Sequence, residues 1–494
     1  TQSGESDIFV AMLNSSGIWS WATQAGGSDT DASKSIAIDS SGNSYITGIF
    51  YSGSITFGSI TLNNSGNGDI FVAKLNSSGS WLWAKQTGGT GYDEATGISI
   101  DPSGNSYLTG SYENSIYFDS SLLTSSGDKD IFIAKLNSDG NWLWAKKAGG
   151  ALEDTGMDIA IDANGYCFIT GYFLSTNINF GNTILNNSNN QNPDLYISML
   201  DSSGNWQWTK QAQGSSNVTA RCIVTDNNGN SYISGNFITK SLTLGSTTLT
   251  NSGQSDIFVA KMNSNGNWLW AKQAGGTSYY TCNDIVMDNS GNIYITGNFG
   301  SSITFGTTPP TILTSNGAGD IFIAKMDSNG NWLWGKSAGG AEGGFCYGLA
   351  VDSNENCYVT GCFDSNITFG STTLTGQADE DIFIAKMDNN GNWLWAKKAG
   401  GPLDNVGYSV AVDNDGNCYA CGYFAESATF GNYTVTSNTG DGSYGAKLDS
   451  NGSWLWVASA NTPTPDGFAV DNNGNSYVAG SFYYAKTNNI NADV

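Results

Sequence analysis

The sequence predicts an all-β chain folded as a single eight-bladed β-propeller of four-stranded blades. A Trp-x-Trp pair recurs eight times, its first ring at Trp19, Trp81, Trp142, Trp206, Trp268, Trp332, Trp393 and Trp454. The spacings are 62, 61, 64, 62, 64, 61 and 61 residues. A period this regular takes precedence over the division into about three domains that the length would otherwise suggest. Each period holds four short alternating segments joined by Asp/Asn/Ser/Gly turns, with no helical period anywhere. Composition agrees, because 64 glycines against 7 prolines fit short strands and tight turns.

Residues 97 to 147 show the parts in order. Strand A is GISID, and the turn DPSGN leads into strand B, NSYLTG. The insertion ENSIYFDSSLLTSSGDK follows, then strand C, DIFIAKL, the turn NSDG and strand D, NWLWAKK. Four-stranded units repeated around an axis make a propeller. The chain starts with a C–D pair, DIFVAMLNSSGIWSWATQ, and finishes with an A–B pair, GFAVDNNGNSYVAGSF. The two halves complement each other, so the N-terminal C–D strands are expected to pair with the C-terminal A–B strands and close the ring. The propeller then spans residues 1–484, followed by a C-terminal tail, 485–494.

The motifs D-I-F-x-A-K, W-L-W-A-K, G-G and x-V-D-x-x-G-N-x-Y-x-T-G occur together, as in SDIFVAKMNSNGNWLWAKQAGG. Over essentially the whole chain they resemble the bacterial β-propeller repeat family called SBBP repeats. The resemblance implies a secreted or surface-exposed bacterial protein without assigned chemistry. Some such proteins leave the cell by the type IX secretion route, which uses a C-terminal sorting domain that the residues up to Val494 do not contain. The opening TQSGESDIF, with neither initiator Met nor signal peptide, suits a mature export product.

The net charge of −24 with only 19 basic residues argues against a nucleic-acid partner, which needs clustered Lys and Arg. Twelve of the nineteen occupy two repeated positions, typified by Lys74 and Lys85. The absence of histidine removes the commonest general base and the commonest transition-metal ligand. No apolar run is long enough to make a transmembrane segment.

Repeated residues read as scaffold. The Trp pair lies two apart on strand D, which places both rings on one face, in the wedge between blades. Asp39, Asp101, Asp162, Asp226, Asp288, Asp352, Asp413 and Asp471 end the eight A strands, where each is expected to bond the backbone of its D-x-x-G-N turn. The turn glycine, such as Gly104, supplies a positive φ, so Glu355 in the same place is expected to be strained. The glycine closing each B strand, such as Gly110, marks a close backbone approach. The run DNDGN (Asp413, Asp415, Asn417) approaches a calcium loop but lacks its twelfth-position Glu, so no metal and no cofactor is assigned. Among eight cysteines, Cys346 and Cys362 fall roughly opposite each other in one A–B hairpin; a disulfide and two buried thiols are both open.

Function is then expected where repeats differ. The D–A loops and B–C insertions vary and leave the ring on the same side, making one face individual and the other monotonous. Asp93, Glu94, Glu153, Asp154, Tyr279, Tyr280, Glu342 and Phe345 are the most distinctive residues of that face. The expected role is a noncatalytic extracellular or cell-surface binding or scaffolding protein, with a cell-surface or outer-membrane protein as partner, in adhesion, secretion or motility. The alternative is a carbohydrate-binding lectin or a carbohydrate-active enzyme that uses two carboxylates on the same face to engage a glycan.

Overall fold

The computed structural model describes residues 4–187, 192–214, 217–307, 309–377, 380–461 and 464–483. The expected tail, 485–494, lies outside the described residues. Every regular element among the described residues is a β-strand. The strands fall into antiparallel sheets with the order A–B–C–D, as in Asp93–Ile100, Ser106–Phe118, Ser121–Leu136 and Trp142–Ala148. The paired cores of strands B and C are buried on both faces, for instance Ser44–Phe50 and Asp69–Leu75, which explains their near-continuous apolar runs. The units are numbered from the A strand Asp31–Ile38 onward.

The two chain halves meet in one sheet. Strand Ser6–Leu13 pairs antiparallel with Ser476–Tyr483, from Asp7 opposite Phe482 to Leu13 opposite Ser476. Trp19–Gly26 and Thr464–Val470 complete a fourth-to-first order identical to the other units. The A strands touch in succession along the chain, and Thr464–Val470 touches Asp31–Ile38.

Turn chemistry sets each hairpin. Asp101 Oδ1 accepts the Ser103 and Asn105 amides, at 2.9 and 3.0 Å, and its Oδ2 accepts Asn105 Nδ2 at 2.7 Å. Gly104 sits at φ 76°, and Glu355, in the same place, is forced to φ 63°. That strain is offset locally: Glu355 accepts Lys325 Nζ at 2.9 Å and Ser290 Oγ at 2.6 Å. Gly110 packs as expected, since a Cβ there would strike the carbonyl oxygen of Glu94.

Neighbouring units are tied by strand-borne side chains reaching into the next unit's turns. The second tryptophan of each pair donates its indole N–H forward: Trp83 to Ser138 O at 3.0 Å, Trp144 to Ser202 O at 3.1 Å. The series runs through the meeting point of the termini, with Trp456 donating to Ser15 O and Trp21 to Ser77 O, at 3.2 and 2.9 Å. Tyr45 and Tyr477 likewise donate to Gly104 O and Gly42 O, at 3.0 and 3.2 Å.

The tryptophans pack, but not on one face. Trp81 stands opposite Leu75 and Trp83 opposite Lys74, with the register slipping between those two partners. The bulge makes Leu82 the extra residue, half exposed, and turns the two rings to opposite faces of the sheet. Trp83 therefore packs forward on Tyr45 and the next unit, with centroids 6.1 Å apart. Trp81 packs backward, edge-on to Phe57 at 4.9 Å and 84°.

Phe57 belongs to the B–C insertion. The insertions leave the ring on the side of the D–A loops as expected from strand order, but they are ordered hairpins that bond the outer D strand of the preceding unit. Phe57 and Thr56 pair with Ala25 and Gly26, and Phe305 and Thr304 with Ala274 and Gly275. Ile55 and Phe57 of the first hairpin, like Ile303 and Phe305 of a later one, are buried in the widening wedge between units. Among the described residues no such hairpin covers Trp454–Ala460, and Trp19, across that wedge, is 37% exposed.

Candidate binding face

The A–B and C–D turns use their polar atoms internally. Asp413 is typical: Oδ1 accepts the Asp415 and Asn417 amides and Oδ2 accepts Asn417 Nδ2 and the Tyr419 hydroxyl. Among the described residues no three metal-capable side chains converge. The opposite face, carrying the D–A loops, is where unit-specific side chains reach solvent.

Three of the eight sequence-selected residues turn out to be braces. Asp93 is buried, its Oδ2 accepting the Gly89 amide at 2.8 Å and its Oδ1 the Glu113 amide at 3.2 Å. Asp154 does the same with the Gly150 amide and with Ser175 Oγ, both at 2.8 Å. Burial pushes both carboxyls up to about 7, with the nearby charges of Asp69 and Asp130 adding to it. Tyr280 fills the equivalent place in the fifth unit, buried, with its hydroxyl donating to Ser302 O at 2.5 Å. Asp93 and Asp154 tie the start of strand A to the end of strand B, and Tyr280 ties it to the hairpin strand Ser302–Phe305 that follows. The sequence could not separate them from surface carboxylates because they follow immediately on the variable loop.

The other five do face outward. Glu94 meets Lys34 Nζ at 3.0 Å and accepts the Tyr92 hydroxyl at 3.1 Å. Glu153 accepts the Tyr172 hydroxyl at 3.0 Å and borders a cleft of about 330 Å³ with Glu113, Asp128 and Lys129. Glu342, Tyr279 (54% exposed) and Phe345 (49% exposed) are open to solvent.

Two aromatic groups organise this face, and sequence reading found only one member of the larger. Phe345 and Tyr347 lie nearly parallel, at 15° with centroids 6.4 Å apart, and Tyr347 meets Tyr408 of the next unit at 5.9 Å. The available signal was the alternation of rings in FCYG on one edge strand, with GYSV in the next unit. In the first two units, Tyr51 and Tyr92 meet at 6.3 Å, with Lys129 Nζ 4.8 Å over the Tyr92 ring.

The proposed disulfide is corrected. Cys346 stands opposite Gly361 and Cys362 opposite Phe345, because the A strand bulges between Cys346 and Gly348. One register step puts the thiols on opposite faces of the sheet. Cys346 approaches Thr296 Oγ1 at 3.0 Å in the preceding unit. All eight cysteines are free. Denaturation in iodoacetamide without reductant is expected to give eight adducts per chain by intact mass; six would restore the bridge.

For the enzymatic alternative, three neighbouring carboxyl pairs, Asp7–Asp31, Asp69–Asp93 and Asp130–Asp154, recur in successive units with both members buried, where they brace the fold. Glu113, Asp128 and Glu153 are the carboxylates that border the cleft beside Lys129.

A family model described as a β-propeller repeat, SBBP, matches residues 20–48, 82–111 and 269–298. Each match runs from strand D through the D–A loop and strand A into strand B. A WD repeat-containing protein of Acanthamoeba polyphaga mimivirus is 24% identical over 514 residues, covering 83% of this chain and 37% of that protein. The regulatory protein FlaEY of Caulobacter vibrioides is 24% identical over 316 residues, covering 58% of this chain and 32% of its own length. The chain thus spans about a third of the length of these curated relatives. Among solved structures, Sqt1 from Chaetomium thermophilum superposes with a TM-score of 0.47 at 8% identity, over 92% of this chain and 97% of that one. With the A–B–C–D order recurring in its antiparallel sheets, the chain carries SBBP β-propeller repeats at the three matched segments.

Proposed function

We propose that the chain is a closed eight-bladed propeller serving as a noncatalytic binding or scaffolding module that engages a protein partner through its D–A loop face. The observation carrying this reading is the contrast between the two faces. One consists of near-identical turns whose polar atoms bond internally; the other exposes aromatic side chains that differ from unit to unit. The closed ring is supported by the pairing of Ser6–Leu13 with Ser476–Tyr483 and by the forward bonds of Trp21 and Trp456.

The accompanying location is secreted or cell-surface, within a surface assembly, supported by the SBBP resemblance and the acidic, histidine-free composition. Protease treatment of intact cells tests it: digestion of the propeller while a cytosolic marker survives is the expected result. Affinity isolation from envelope extract, with the intact propeller as bait, is expected to recover a stoichiometric protein partner. Recovery of glycan alone would replace the scaffold reading with a lectin.

A further inference from the structure

The larger aromatic group differs from the smaller one in a way that specifies a ligand. In the first two units, aromatic rings, carboxylate and cation occur together: Lys129 lies over Tyr92, and Lys34 pairs with Glu94 beside it. In the sixth and seventh units the rings stand beside carboxylates, and the ionised group acting on both Tyr347 and Tyr408 is Glu380. Burial, then the Cys362 thiol and the Glu380 carboxylate, push the Tyr347 hydroxyl up, and the same three act on Tyr408. Tyr423 donates to Asp441 at 2.7 Å and feels Asp404 as well. Asp404 and Asp441 are exposed, and so is Glu342, three residues before Phe345. A ring face presents partial negative charge, so rings edged by carboxylates favour a cation from outside.

We infer that Phe345, Tyr347 and Tyr408, with the carboxylates around them, form a docking surface for a partner polypeptide that presents arginine or lysine side chains. The grouping in the first two units is the molecule's own example of the contact, completed there by Lys129 and Lys34. Arginine fits better than lysine, because its planar guanidinium lies on a ring while its N–H groups reach an adjacent carboxylate. Phe345 and Tyr347 supply that plane, being 49% and 36% exposed and nearly parallel. The net charge of −24 draws a basic segment toward the protein, and the rings determine where it settles.

This inference rests on the scaffold reading and names the chemistry of its partner. The test keeps net charge constant so that bulk attraction cannot imitate the site. Fluorescein-labelled octa-arginine and octa-lysine are titrated at about 150 mM salt, where bulk attraction is screened beyond about 8 Å. The proteins are wild type, the double variant Phe345→Ala, Tyr347→Ala, and Leu143→Ala. Leu143 is equally exposed, at 51%, but sits at the strand D bulge of the second unit, away from the D–A loops. The double variant is expected to bind octa-arginine about tenfold more weakly, octa-lysine less affected, and Leu143→Ala unchanged. Equal affinities for wild type and the double variant, with thermal midpoints matched, would overturn the inference. A neutral oligosaccharide, cellohexaose, that binds wild type and not the double variant would also overturn it. A partner recovered equally well by wild type and the double variant would leave the scaffold reading standing while removing this site.

Discussion

Trp83→Ala is expected to destabilise the protein by about 3–5 kcal/mol, the range for truncating a large buried aromatic. The ring is 9% exposed, meets Tyr45 edge-on, and donates to Ser138 O in the next unit. Truncation opens a cavity between two blades and strips the acceptor of its donor. Trp19→Ala, by contrast, is expected to cost less than about 1 kcal/mol, because its ring is 37% exposed. Both belong to the same repeated motif, Trp83 as the second ring of its pair and Trp19 as the first. Thermal midpoints by near-UV circular dichroism separate the cases, and need no two-state assumption for a molecule of repeated units. Equal shifts for the two variants would show that the wedge over Trp19 is filled like the others.

Periodicity made the strands, turns and sheet order legible, because each repeated residue serves a local need. Asp101 and Gly104 satisfy a turn wherever the period places them, and Gly110 answers a close approach that recurs in every unit. What escaped was one-residue detail. The bulge at Leu82 turns the Trp pair to both faces, and the bulge after Cys346 moves two thiols out of register. A bulge adds one residue without altering composition or period, so alternation alone cannot reveal it. The candidate face was legible as a region and not as residues. Asp93 and Asp154 look like solvent-exposed carboxylates beside a variable loop, yet backbone amides of Gly89 and Gly150 fold over them. Tyr347 and Tyr408 come from different units, and only the sheet-to-sheet contact brings them together.

Those buried carboxyls give the second large effect: stability is expected to fall as pH rises from about 4 to about 7. Burial raises Asp31, Asp158 and Asp194 to about 6, and Asp93, Asp154 and Asp284 to about 7, from an ordinary 3.8. A carboxyl with a raised folded pKa holds its proton in the native state after the unfolded chain has released it. The unfolded state gains from ionisation first, so native stability declines across that interval and levels off above about pH 7. A tenfold change in proton affinity is worth about 1.4 kcal/mol, so these carboxyls together make a difference of several kcal/mol. On the acid side the sign reverses. Burial opposes ionisation of Asp201, Asp327 and Asp388, but turn hydrogen bonds outweigh it and hold them below the usual range. Their contribution is lost as pH falls below about 4, which places the stability maximum near about pH 4–5. Thermal midpoints are therefore expected to be several degrees higher at about pH 5 than at about pH 8. Self-repulsion at −24 acts in the same direction, so a variant has to separate the two. In Asp284→Asn the side-chain oxygen can still accept the Ile285 or Leu349 amide, bonded at 2.8 and 3.0 Å in the native protein. The loss of midpoint over that pH interval is expected to shrink in this variant and to persist in about 0.5 M salt, which screens surface charge but not a buried carboxyl. An unchanged slope would assign the effect to net charge alone.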